Sequence, residues 1–233
     1  MNKISFIGFI LAIIGLTSCA KNNIQPNSTA DTSEQPTFID SVALFHNEAL
    51  EKYFSSKTKA LDTQNTLECI IDNVIENAQS VLIEHNVDYS LEADKEIIYE
   101  TTKMLIDRIA LNNGDVYLAC YSIIDEYFSG DEARRLRELL ENDFAYADTK
   151  NGSQYQSVVF MGKIGQASSS FWATKGFFSD GSAATDALAG AVGLAFSFPI
   201  SFLFYGASIA WSAATYEYSH GNVLDYVRDS TID

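Results

Sequence analysis

The sequence predicts an all-α fold, a multi-helix antiparallel bundle wrapped on an apolar C-terminal helical hairpin. Three observations carry that prediction. Apolar residues between positions 38 and 144 recur at helical spacing with turn signals between the runs, no segment alternates as a half-buried strand would, and residues 187–216 carry no charge at all. The chain of 233 residues is 47% apolar, enough to build one core. Its 15 basic residues stand against 31 acidic ones, a net charge of -16 that repels phosphate backbones and excludes sequence-independent nucleic-acid binding. Three Cys and three His are too few for a disulfide scaffold or a His/Cys metal cage.

The helices follow in order. In the first, Phe38, Val42, Phe45, Ala49 and Tyr53 form one stripe with Asp40, Glu48, Glu51 and Lys52 off it. In the second, Leu67, Ile70, Ile71, Val74, Ile75, Ala78, Val81 and Leu82 keep the i, i+3, i+4, i+7 pattern for four turns, which makes this a core-facing helix. Ser90 is placed to cap a third, from Leu91 to about Leu111, with Ile97, Ile98, Thr101, Leu105 and Ile109 inward and Asn113-Gly114 at its end. Asp115 is placed to cap a fourth, with Val116, Ala119, Ile123, Ile124 and Tyr127 inward and Gly130 closing it. Asp131 opens a fifth, with Leu136, Leu139, Leu140 and Phe144 on one side and Arg134, Arg135, Arg137 and Glu138 on the other. Short loops between amphipathic helices imply antiparallel neighbours, and the acidic residues fall mostly on the solvated faces. Cys69 and Cys120 lie inside helices; a disulfide between them requires the two helices to face each other, whereas buried thiols require no partner.

After Lys150-Asn151-Gly152 charge thins out, and Gly, Ala, Ser and aromatic residues take over. A sixth helix is expected from Ser153 to about Thr174, weakened by Gly162, Gly165 and the Ser168-Ser169-Ser170 run. The uncharged stretch is long enough to span a bilayer, but Gly190, Gly193, Gly206 and several serines dilute it, and Pro199 splits it. It reads as two helices, Asp186 to Ser197 and Pro199 to Tyr218, with Asp186 as the first cap and Pro199 in the first turn of the second. Gly190, Gly193 and Gly206, with neighbouring alanines, give smooth faces for close helix packing, either in a domain core or in a membrane. A buried hairpin is favoured because the upstream helices need a surface on which to bury their apolar stripes. The single helical domain is thus expected over residues 37–229, with amphipathic helices in 37–148, Gly/Ala/aromatic-rich ones in 153–218 and the hairpin at 186–218.

The chain opens differently. Lys3 precedes an apolar run from Ile4 to Leu16, too short for a permanent span, and Leu16-Thr17-Ser18-Cys19 follows; residues 1–18 read as a signal peptide. Residues 20–36 are polar, hold two of the three prolines and lack periodicity, so 19–36 reads as a flexible tether with a reach of about 20 to 25 Å. The four residues ending in Cys19 resemble the lipobox of bacterial lipoproteins. That resemblance implies cleavage before Cys19, covalent lipid on its sulfur, usually with an acyl chain on its amine, and membrane attachment that is effectively permanent. Ala20 after the cysteine implies the outer membrane, and the lack of acidic residues in Ala20-Lys21-Asn22-Asn23 favours its periplasmic side over surface display. Together with His46-Asn47-Glu48-Ala49-Leu50 and the segment Asp186-Ala187-Leu188-Ala189-Gly190-Ala191-Val192-Gly193, the chain resembles uncharacterised Bacteroidetes lipoproteins whose helical domain ends in an Ala/Gly-rich hairpin. The bulky Phe196-to-Phe202 bridge departs from that group, which implies a lineage and no activity.

Motifs of catalysis are scarce. The chain has no Gly-rich phosphate loop, CxxC pair or HExxH, and Asp180-Gly181-Ser182 lacks calcium-loop spacing. Gly206-Ala207-Ser208-Ile209-Ala210 is one glycine short of a nucleophile elbow and follows no strand. His46 lies in a polar cluster with Asn47 and Glu48 and suits a capping or interhelical hydrogen bond better than catalysis; His85 and His220 fall at helix ends, where the dipole favours them. Asp229-Ser230-Thr231 resembles the short O-glycosylation acceptor of Bacteroidetes. The expectation is a lipid-anchored envelope protein with a structural or protein-binding role and an envelope protein as partner. No catalytic residue, metal, cofactor beyond the lipid, nucleic acid or small-molecule substrate is expected. The alternative is a membrane-active, toxin-like protein that inserts the 187–216 hairpin.

Overall fold

The computed structural model describes residues 38–57, 66–144, 155–175, 181–195 and 203–223, within a helical unit that extends over Pro36–Asp233. Eight α-helices follow one another among the described residues, with no strand: α1 Phe38–Lys57, α2 Leu67–Glu84, α3 Lys95–Leu111, α4 Val116–Tyr127, α5 Gly130–Glu141, α6 Gln156–Lys175, α7 Ser182–Ala195 and α8 Leu203–Ser219. A single 3-10 turn, Leu91–Asp94, leads into α3. The fold is all-α, a bundle wrapped on an apolar C-terminal hairpin, as the patterning predicts.

The hairpin is the core. α8 packs against α7, α2, α3 and α1, and α7 against α6, α8 and α4. From Ser182 to Gly193 only Ala183 fails to be buried, and in α8 burial runs unbroken from Leu203 to Thr215. A helix apolar on every side has no solvent face to spare and is stable only when others surround it. Cross-helix contacts give the directions. Thr185 bonds Thr215 near the start of α7 and Gly193 lies against Phe204 near its end, so α7 and α8 are antiparallel. Glu48 pairs with His85 and Lys52, one turn on, bonds Ser80, so α1 and α2 also run in opposite directions. The same holds for α3 and α4, where Met104 meets Tyr127 and Arg108 meets Ser122.

The sheath helices obey their local chemistry. All eight stripe residues of α2 are buried. Thr66 caps it, its Oγ1 accepting from the Cys69 backbone at 3.2 Å, and Asp115 caps α4 by accepting from Leu118 N at 2.9 Å. α3 ends where Gly114, at φ +85°, donates its N–H to Ile109 O at 2.9 Å, a left-handed step that glycine makes without strain.

Four expectations need correction. Ser90 makes no side-chain cap bond, and α3 proper begins at Lys95 after the 3-10 turn. Thr102 rather than Thr101 faces the core, its hydroxyl donating to Ile98 O at 2.6 Å. Gly130 opens α5 instead of closing α4. Asp186 caps nothing: α7 begins four residues earlier, which turns this carboxylate into the interior. Cys69 is an exposed free thiol and Cys120 a buried one, so no bridge joins α2 to α4. Burial pushes the Cys120 thiol up to about 12, which leaves it protonated and inert.

Candidate functional site

The chemistry of the interior lies in a polar seam where α1 meets the hairpin. His46 projects from the buried stripe of α1, one turn beyond Val42. Its Nε2 stands 3.3 Å from Asp186 Oδ2 on α7, and neither side chain has any exposed surface. The Ser168 hydroxyl of α6 donates to that same Asp186 oxygen. On the other edge of the ring, Nδ1 lies 3.1 Å from Asn47 Oδ1. The Asn47 amide is oriented by its Nδ2, which donates to Ala167 O at 2.9 Å, so it is the oxygen that faces His46. Both imidazole nitrogens therefore face oxygens, Nδ1 in a hydrogen bond and Nε2 in an ion-pair contact with the Asp186 carboxylate. Burial pushes the His46 pKa down, but the Asp186 charge and the hydrogen bonds push it up further, and the net shift is upward.

A second contact of the same kind lies two turns further along α1. The Tyr53 hydroxyl donates to Glu217 Oε1 on α8 at 3.2 Å, and Asn222 Nδ2 donates to Glu217 Oε2 at 3.0 Å. Burial and the Glu217 charge hold the Tyr53 phenol well above its usual value. Asp186 and Glu217 are the two carboxylates that bound the uncharged stretch 187–216, and both are gripped from the same helix. Between them, Tyr205 donates to Ala78 O at 3.1 Å, Trp172 Nε1 donates to Ser212 Oγ at 3.2 Å, and Thr215 donates to Thr185 Oγ1 at 3.1 Å. Asp186 Oδ1 and Trp211 Nε1 are buried with no hydrogen-bond partner among the described residues, each at a cost of about 1–3 kcal/mol.

Serine, histidine and aspartate in contact invite comparison with an activated nucleophile, and the geometry answers it. Ser168 bonds the carboxylate and not the ring, so no imidazole nitrogen is placed to take its proton. A cluster without exposed surface offers no path to a substrate. What it can do is fix register: a buried charged pair adds little net stability over apolar residues but makes a misaligned packing costly.

Of the glycines named for close packing, Gly193 faces the other helix of the hairpin, Gly190 faces α6, and Gly206 faces α3 and the 3-10 turn. A Cβ on Gly190 would lie 2.3 Å from the Phe160 ring, and one on Gly193 1.9 Å from the Phe204 ring. At Gly206 it would lie 2.9 Å from the tips of Ile98 and Leu91. Pro199 and Cys19 lie outside the described residues, as does Ser230. No described helix is long and apolar enough to cross a membrane, and no group of three or more His, Cys, Asp or Glu among the described residues could hold a metal.

His46 is visible in the sequence as a polar residue in an amphipathic helix, but its pattern does not reveal Ser168, Asp186, Tyr53 and Glu217 as parts of one seam. The available signal is the pair of carboxylates at the two ends of an otherwise uncharged stretch. Neither a family model, nor a curated protein, nor a solved structure matches the chain.

Proposed function

We propose that this chain is a lipid-anchored protein of the bacterial envelope, held at the periplasmic side of the outer membrane through Cys19, with a structural or protein-binding rather than catalytic role. The observation that carries the proposal is Leu16-Thr17-Ser18-Cys19 behind Lys3 and a short apolar run. More than one acyl chain at Cys19 makes attachment effectively permanent, since each buried methylene contributes about 0.8 kcal/mol. The interior supports a non-catalytic role: its charged cluster is sealed, and its serine is bonded in the wrong order for nucleophilic attack. Metabolic labelling with radioactive palmitate tests the anchor. The wild-type chain should carry label and sediment with membranes, whereas Cys19→Ser should lose the label and become soluble. An unlabelled wild-type chain would end the proposal.

A second reading, a membrane-active protein that inserts 187–216, is favoured by one observation. The uncharged hairpin is held in the domain by polar contacts at its two charged ends, where α1 grips Asp186 through His46 and Glu217 through Tyr53. Leakage from anionic vesicles that disappears in Gly190→Leu/Gly193→Leu would favour this reading. Intact vesicles with the wild-type chain would exclude it.

A further inference from the structure

α1 is the first helix of the unit and packs on α2, α6, α7 and α8, so its release breaks no connection among the helices that follow it. Two kinds of contact hold it. Val42, Phe45, Ala49 and Leu50 are buried against the neighbouring helices, an apolar attachment indifferent to pH. The other kind is polar, His46 on Asp186 and Tyr53 on Glu217, with both carboxylates buried. Among the described residues, the titratable groups that meet α1 come from four helices. α7 brings Asp186, and α8 brings Glu217 and the Tyr205 hydroxyl, 3.4 Å from Phe45 O. α6 brings Lys175, 2.8 Å from Glu51. α2 brings His85, 2.6 Å from Glu48, and Glu84, 2.5 Å from Lys52. Burial lowers the His46 pKa, but the Asp186 charge and the hydrogen bonds from Asp186 and Asn47 outweigh it. The Tyr53 and Tyr205 phenols are held above their ordinary 10, by burial first and then by Glu217 and Glu48 respectively, and keep their protons through neutral pH. His46 is therefore the buried group of α1 that exchanges a proton near neutrality.

We propose that α1 is a clasp on the hairpin that a proton on His46 keeps shut: loss of that proton releases α1 as a unit and uncovers the face of α7 and α8 between Asp186 and Glu217. Closed, the Asp186 carboxylate lies beside a charged imidazole; once the proton leaves, it faces a neutral ring in a site with no exposed surface. Open, ring and carboxylate are both solvated, and neither depends on the proton. The closed state holds the proton more tightly than the released helix does. Closure is therefore strongest below pH 6.5, and above it the opening constant rises by up to tenfold per pH unit until the closed-state pKa is passed. The apolar stripe keeps the open state a minority throughout, so pH sets a population and leaves the rest of the fold in place. The clasp goes beyond the roles proposed above, since it needs neither the lipid nor a partner.

The test is native-state hydrogen exchange of the soluble Cys19→Ser chain from about pH 6 to about pH 9, corrected for the intrinsic pH dependence of amide exchange. A detached helix of this length is marginal in water, so the amides of 42–53 exchange on release. They should share one opening constant, larger than that of 203–219 at every pH. It should rise by up to tenfold per unit above pH 6.5, while the amides of α5, which packs chiefly on α4 and α6, stay flat. His46→Gln/Asp186→Asn should abolish the rise in α1. His85→Gln, which removes the exposed imidazole on Glu48, should preserve it, because a surface ion pair contributes little. Four results would overturn the clasp: a wild-type α1 constant that does not change with pH, one constant shared by α1 and α8, an equal rise in α5, or a rise that survives the double variant or vanishes in His85→Gln. The wild-type comparison decides the matter even where the double variant fails to fold.

Discussion

An imidazole with an oxygen against each nitrogen favours its protonated form, and that preference dictates how the fold responds to pH. His46 has its pKa raised in the folded state above the ordinary 6.5. The folded chain therefore holds this proton more tightly than the unfolded chain does. The stabilisation is complete below pH 6.5, declines as the unfolded ring loses its proton, and is gone once pH has risen through the folded value. Denaturant unfolding from about pH 6 to about pH 9 should show stability falling, and part of that slope should vanish in His46→Gln/Asp186→Asn. An unchanged slope in the double variant would mean that the ring is neutral when folded. Truncation gives a second readout. His46→Ala leaves the Asp186 carboxylate buried without its counter-charge, for an expected loss of about 3–5 kcal/mol, most of it restored when Asp186→Leu is added.

At the scale of elements, the hairpin depends on what its glycines lack. Gly193→Ala drives a methyl into the Phe204 ring and Gly190→Ala drives one into Phe160, so each should cost about 1–3 kcal/mol despite the better helix propensity of alanine. Gly206→Ala meets only the flexible ends of Ile98 and Leu91 and should come out near neutral. Thermal melts of the three variants test that order, and a Gly193→Ala as stable as wild type would show that Phe204 can turn aside. The same elements show where local pattern is informative. α2 has a polar face, so its period sets its phase, and each of its eight core positions is legible. α7 has none, and an apolar window without a period leaves the helix start undetermined. Asp186 then reads as a cap although it lies inside the helix. The partner of His46 is 140 residues away in sequence, and no local pattern encodes that distance.

At the scale of the molecule, the arrangement inverts the usual division between a stable sheath and a mobile tail. α8 is enclosed by α1, α2, α3 and α7, while α5 packs chiefly on α4 and α6 and turns Arg134, Arg137 and their acidic partners to solvent. Exposed ion pairs of that kind contribute little each, so α5 should open locally at low cost, whereas the amides of 203–219 can exchange only when the surrounding helices separate. Hydrogen exchange should therefore be fastest in α5 and slowest in α8. Repeating the measurement with anionic vesicles discriminates between the two proposed roles. A bound, non-inserting domain keeps the same ranking, with α1 and α2 unchanged. An inserting one must first break the His46 and Tyr53 contacts, so α1 would lose protection while 187–216 kept it inside the bilayer. Because both ends of the uncharged stretch are held by buried contacts to α1, the expected result is an unchanged ranking, and a selective loss of protection in α1 would refute it.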